Sequence, residues 1–149
     1  MEGINKVVIL GGEEAGKKIR DIFSKAGLKV VMADLKTDYV KELADADIML
    51  EALPGDMESR KEALRKYDAK APQKTIFATI ASWGITEIAA ATKRPQKTLG
   101  LNFTFNPVEG KCLVQIVKQL ETSKETIQAC KDLIQKTGAS AVEVEEAPG

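Results

Sequence analysis

The chain opens with an apolar run, KVVIL (Lys6–Leu10), that passes through GGEEAGKK (Gly11–Lys18) into a helical pattern. Apolar Ile19, Ile22 and Phe23 recur at helical spacing across Ala15–Ala26, and Gly27 can end that helix. LKVVMAD (Leu28–Asp34) follows as a second β-branched run. A strand that turns through glycine into a helix and returns as a strand is a βαβ unit with a right-handed crossover. Its turn presents helix amides to an anion.

Two phosphate-binding designs begin this way. The P-loop pattern G-x-x-x-x-G-K-[ST] is met at Gly11, Gly16 and Lys17, but residue 18 is lysine, which has no hydroxyl for magnesium. Glu13 and Glu14 would also stand in its phosphate cradle. The dinucleotide fingerprint G-x-G-x-x-G is met at Gly11 and Gly16, with Glu13 in the middle position. Its wider setting is right, because the second strand ends in Asp34, an acid able to accept bonds from ribose hydroxyls. The middle glycine lets backbone approach the pyrophosphate, and glutamate adds bulk and a like charge there. At ~5 Å and an effective dielectric of ~20, each pair of unit charges repels by about 3 kcal/mol. That is roughly a hundredfold in affinity per pair. A side chain turned to solvent escapes most of this, Lys17 and Lys18 offset some, and the helix terminus still attracts anions. The expectation is weakened dinucleotide binding; the alternative is a loop of the same shape that binds nothing.

The remaining sequence keeps the alternation. A short helix is expected over Thr37–Ala44, a strand over Ala46–Leu53, and a helix capped by Asp56 that runs to about Lys70. A strand over Lys74–Ala81 and a helix over Ile85–Thr92 come next. Thr98–Phe103 and Cys112–Val117 read as further strands. Thr122 and Glu125 form a capping box for a helix ending at Gly138, and Ser140–Glu145 is a last strand. Near-continuous apolar strands alternating with helices predict an α/β fold. The form expected is a Rossmann-type, doubly wound, mostly parallel sheet with antiparallel additions near the C-terminus. The acidic and basic residues of ESRKEALRK and ETSKETIQACKD read as solvated helix faces.

Composition removes several function classes. The chain has 149 residues and no histidine, so an imidazole base and histidine-rich zinc sites are both excluded for it alone. No metal site is expected. Lys plus Arg and Asp plus Glu both number 22, which gives no excess of charge toward nucleic acid or an anionic membrane. Apolar runs are far shorter than a membrane span, and the N-terminus lacks a signal pattern, so a cytoplasmic protein is expected. Cys112 and Cys130 are far apart in sequence and are read as reduced.

The stretches KVVILGGEEAGKKIRDIFSKAGLKVVMAD, ADADIMLEALPGDMESRKEAL, IFATIASWGITEIAAATKRPQKTLGLNFTFNP, KCLVQIV and VEVEEAPG span nearly the whole chain. Together they resemble the NAD-binding domain of the L-3-hydroxyacyl-CoA dehydrogenases of fatty acid metabolism. ITEIAAATKRP and the G-L-x-F…N-P run are the most specific to that family. The resemblance implies NAD as cofactor and 3-hydroxyacyl-CoA thioesters as substrate class. It matches Gly11, Gly12 and Gly16 to the pyrophosphate loop and Asp34 to the ribose acid. Ala52 and Leu53 match the segment against the cofactor, and Arg60 a cofactor-facing lysine.

Other positions depart from the family. Its catalytic histidine, in G-L-H-F-F-N-P, is Asn102 in GLNFTFNP, with Thr104 as an extra residue. Its partnering glutamate, in K-L-V-E, is Gln115 in CLVQ. Its substrate-contacting serine matches Ser82 only across a gap. Asparagine cannot take up a proton near neutral pH, and glutamine supplies no charge to raise a base's pKa. Losing the base alone removes ~10²–10⁴ in rate. A long helical excursion between the second and third strands is reduced to LKTDYVKELAD, and the family's helical substrate and dimer domain is not in the sequence.

The chain is therefore expected to be a single NAD-binding domain over residues 1–149 with an impaired catalytic pair, a pseudoenzyme in isolation. Its expected partners are NAD(H), an acyl-CoA, and either a second copy or another chain in place of the helical domain. A non-enzymatic regulatory or interaction protein reusing the fold is the alternative. A third reading keeps activity on a changed substrate, with Ser82, Lys111 or a group of the substrate itself in place of histidine. Trp83 is expected at an exposed site or as a lid.

Overall fold

The computed structural model describes residues 3–33 and 40–147. Asp34, the expected ribose acid, lies outside them, as do residues 37–39 of the first short helix. In chain order the elements are β1 (Lys6–Gly11), α1 (Glu13–Lys25), β2 (Lys29–Ala33), α2 (Val40–Leu43), β3 (Ile48–Ala52), α3 (Met57–Asp68), β4 (Ile76–Thr79), α4 (Ile85–Ala90), β5 (Thr98–Asn106), β6 (Lys111–Lys118), α5 (Lys124–Lys136) and β7 (Ser140–Glu145). The sheet order is β2-β1-β3-β4-β5-β6-β7. Every neighbouring pair is parallel except β5 with β6. The fold is the expected Rossmann-like α/β sheet with its antiparallel addition.

Alternation along the central strands sorts the core onto two faces. Val7 and Ile9 of β1 point to one face, where Ile19 and Phe23 of α1 and Leu133 and Ile134 of α5 cover them. Val8 and Leu10 point to the other, against Leu64 and Tyr67 of α3 and Ile88 of α4. From β1 the chain crosses to β2 on one side and later returns to β3 on the other. That reversal opens a crevice beyond the carboxyl ends of β1 and β3, where open α/β sheets hold ligands.

Two local expectations change. Ser123, not Thr122, caps α5: its hydroxyl accepts the Thr126 N–H at 3.1 Å. The Thr122 hydroxyl is committed elsewhere, donating to the Thr98 carbonyl at 2.9 Å and accepting the Gln119 N–H at 3.1 Å. The β5–β6 hairpin is also longer than expected, with rungs continuing through Thr104↔Leu113 to Asn106↔Lys111. The extra residue, Thr104, is thus absorbed as part of a regular ladder. Asn106 Oδ1 closes the turn by accepting the N–H groups of Val108 and Glu109 at 3.0 and 3.1 Å.

One buried cation fastens the second half of the sheet. Arg94 is 9 % exposed and donates from Nε to Asp68 at 2.6 Å. Its terminal nitrogens reach the carbonyls of Asp68, Ala71, Pro72 and Thr75, and its guanidinium lies 4.4 Å from the Phe77 ring centre. The end of α3, the loop behind it and the start of β4 are held by this one side chain.

Candidate functional site

The glycine loop is built by steric necessity at two positions. Gly11 and Gly12 have φ of 72° and 75°, the left-handed region that suits glycine. A Cβ on Gly12 would stand 2.7 Å from the Ala52 Cβ, and one on Gly16 would stand 3.0 Å from the Gly11 carbonyl oxygen. Gly12 therefore lets the turn pass β3, and Gly16 lets α1 pack onto the loop. Gly12 caps α1 without a side-chain acceptor, which leaves the first-turn amides uncapped by the residue that precedes them. These features fit a pyrophosphate. Glu13 and Glu14 occupy that first turn, and both are exposed. They lie in solvent rather than in the turn's steric core, so they oppose an anion by charge and not by filling its place.

Ala52, at the end of β3, pairs with Gly11, and buried Leu53 follows it. The Leu53 N–H donates to Glu51 Oε2 at 2.6 Å. Glu51 is 2 % exposed and is the centre of a polar cluster that the sequence reading passed over. Arg60 of α3 approaches it with Nε at 3.2 Å and with a terminal nitrogen at 2.8 Å, and the Thr79 hydroxyl donates to it at 2.8 Å. Arg60 also donates to Thr79 at 2.8 Å. The guanidinium expected to face the cofactor is thus neutralised within the protein, beneath the Ala52–Leu53 segment. An acid inside the apolar run ADIMLEAL was the available signal, because a carboxylate in a central strand must find a partner.

Asn102 on β5 and Gln115 on β6 are directly opposite each other. The Asn102 amide nitrogen donates to the Gln115 side-chain oxygen at 3.0 Å, and both residues are half-buried. Two positions thirteen residues apart are thereby brought into contact as a neutral amide pair. Such a pair offers donors and acceptors at fixed positions and takes up no proton near neutral pH. Ser82 stands in the loop after β4, where its carbonyl accepts the Ala147 N–H at 2.9 Å. Trp83 beside it is 50 % exposed. Cys112 and Cys130 are both free thiols. Burial pushes the Cys130 thiol up to about 12 and also raises that of Cys112, so neither is primed as a nucleophile. Among the described residues, no three His, Cys, Asp or Glu gather to hold a metal, and no helix is long and apolar enough to cross a membrane.

A family model, the NAD-binding domain of 3-hydroxyacyl-CoA dehydrogenase, matches residues 35–147. The chain belongs to this family. The family's cofactor is NAD. A probable 3-hydroxybutyryl-CoA dehydrogenase of Bacillus subtilis is 40 % identical over 111 residues, covering 74 % of this chain and 38 % of that protein. The fatty acid oxidation complex subunit alpha of Shewanella amazonensis is 32 % identical over 137 residues, covering 91 % of this chain and 19 % of that protein. The chain thus spans well under half the length of these curated relatives. Among solved structures, the (S)-3-hydroxybutyryl-CoA dehydrogenase of Ralstonia eutropha superposes with a TM-score of 0.87 at 25 % identity, covering 99 % of this chain and 65 % of that one. The dehydrogenase-family match begins just past the first βαβ unit, so the loop carrying Glu13 lies outside the matched residues.

Proposed function

We propose that this chain is a NAD(H)-holding module of 3-hydroxyacyl-CoA dehydrogenase type whose proton-transfer pair is silent. The observation that carries the proposal is the neutral contact between Asn102 and Gln115 in the register where the family resemblance places a histidine and a glutamate. The backbone of Gly11, Gly12 and Gly16 would hold the pyrophosphate, Ala52 and Leu53 would wall the crevice, and Asp34 would take the ribose. Arg60 acts indirectly, by holding Glu51 under Leu53. When bound, NAD supplies the hydride acceptor for oxidation of a 3-hydroxyl. Asn102 can orient that hydroxyl by hydrogen bonding but cannot accept its proton, so the oxidation lacks its base. The site is a binding site first, for NAD(H) and for an acyl-CoA thioester held without turnover.

Leu113 and Val142 are each 41 % exposed and lie on the sheet face of Gln115, which Val142 opposes in register. Covering that face with a second copy or another chain would complete the module. Free cysteines accord with a cytoplasmic setting.

Calorimetric titration with NADH is the test. Saturable binding weakened by Asp34→Ala supports the proposal, and no heat at millimolar NADH defeats it. That second outcome would favour the interaction-protein reading, which the exposed Glu13 and Glu14 carboxylates and the neutralised Arg60 support. The silent-pair element is tested by the double variant Asn102→His with Gln115→Glu. NADH consumption with a short 3-oxoacyl-CoA should rise by about 10² or more over the parent chain. Equal turnover by parent and variant would refute it.

A further inference from the structure

The last described residues fold back onto the loop that follows β4. The Glu146 N–H donates to the Lys118 carbonyl at 3.2 Å, one rung beyond β7. Its carboxylate then leaves the sheet: Oε1 accepts the Thr86 N–H at 2.9 Å, and Oε2 accepts the Thr86 hydroxyl at 2.5 Å. Ala147 adds a third bond across the same gap, from its N–H to the Ser82 carbonyl at 2.9 Å. The loop needs this outside help. Gly84, with φ of 73°, caps α4 without a side chain, so the cap residue offers the helix's first turn its carbonyl alone, which accepts the Ile88 N–H at 3.1 Å. A Cβ on Gly84 would stand 2.6 Å from the Met57 methyl, so the first residue of α3 lies against the loop at this glycine.

We infer that Glu146 is a positioning residue: its carboxylate fixes the start of α4 at Thr86, and with it sets where Ser82 and Trp83, in the loop between β4 and that helix, stand. The bonds join residues 60 positions apart, so no local turn preference of the loop can replace them. Two charge-assisted acceptor bonds to one residue define an orientation as well as a distance. A pull on the chain at Glu146 or Ala147 is transmitted to Ser82 without passing through the sheet. The loop assignment stands on these contacts alone; its effect on coenzyme binding rests on the NAD(H) reading above.

Trp83 is the single tryptophan, so its emission reports this loop directly. In Glu146→Ala, Trp83 emission should shift to the red and become more open to acrylamide quenching, with the far-UV spectrum unchanged. NADH binding should weaken by about fivefold or more, the lower range for coupled sites. Glu146→Gln keeps an acceptor for the Thr86 N–H and should recover most of both signals. If Glu146→Ala does not fold, Thr86→Ala, which removes one of the two bonds, carries the same test at smaller amplitude. Unchanged Trp83 emission and quenching in a folded variant overturns the inference. A displaced Trp83 with NADH affinity equal to that of the parent bears out the positioning of the loop and overturns its link to coenzyme binding. If Trp83 is displaced in the variants and no protein binds NADH, the inference about the loop holds and the cofactor reading is the one that fails.

Discussion

Replacing Glu13 by glycine should tighten NADH binding while making the protein less stable. Glu13 is the first residue of α1 and is exposed, so its charge acts through solvent. With a dielectric near 80 and a separation of about 5 Å, one unit charge opposes it by about 0.8 kcal/mol. Two pyrophosphate charges give about 1.7 kcal/mol, or roughly tenfold to twentyfold in affinity. This is smaller than the repulsion expected from sequence, because a dielectric near 20 would describe a side chain turned inward. The effect on folding has the opposite sign. A first-turn carboxylate contributes ~0.3–1 kcal/mol with the helix dipole, and glycine is about 1 kcal/mol poorer than alanine within a helix. A fall in Tm of about 3 °C is expected for a chain of this size. Calorimetric titration at low salt and again at high salt separates the causes, because screening should shrink the gain. Glu13→Gln keeps the bulk without the charge and should recover most of it. If glycine fails to tighten binding, or glutamine matches the parent, charge at this position is not what limits the loop.

Arg60→Met should be among the most destabilising single changes, because it strands a carboxylate that is 2 % exposed. Breaking such a pair costs about 3–5 kcal/mol, toward the lower end here because Leu53 and Thr79 still donate to Glu51. Urea denaturation should show the double change with Glu51→Gln to be more stable than Arg60→Met alone, and a double variant no better would refute the pairing argument. Asp47 gives a pH signature. Burial pushes its carboxyl up, but the N–H groups of Asn5 and Lys6 and the Lys74 ammonium outweigh this and hold it below its ordinary 3.8. Its contribution is therefore present above that value and is lost as pH falls through the lowered one. Asp47→Asn should unfold about 1 kcal/mol more easily at pH 7. Thermal melts should show the gap closing in strong acid, and a gap independent of pH would rule out the ionised carboxylate as its source.

The sheet was legible because strand and helix periods differ. KVVIL and ADIMLEAL are too continuous for a half-exposed strand, and they became β1 and β3, each with a neighbouring strand on both sides. The cap of α5 was displaced by one residue because a threonine and a serine adjoin, and only the fold assigns the Thr122 hydroxyl to the end of β5. Asn102 and Gln115 could be placed through the resemblance, whereas their direct contact depends on hairpin register. Arg60 was the least legible residue. The resemblance suggested a cofactor contact, and the pairing of Arg60 with a buried acid on β3 could not be seen in a line of sequence. Glu146 was hidden for the same reason, since its partner, Thr86, lies in the first turn of a helix 60 positions away.

Arg94 belongs to ITEIAAATKRP, one of the stretches on which the resemblance was read, yet its guanidinium bonds lead to backbone carbonyls, an aspartate and an aromatic ring inside the protein. A residue that helped to identify the chain is thus a keystone of its masonry, set apart from the amides and glycines that would meet a coenzyme. The loop behind α3 and the coenzyme crevice are therefore fastened by separate side chains, and a change at one need not be felt at the other.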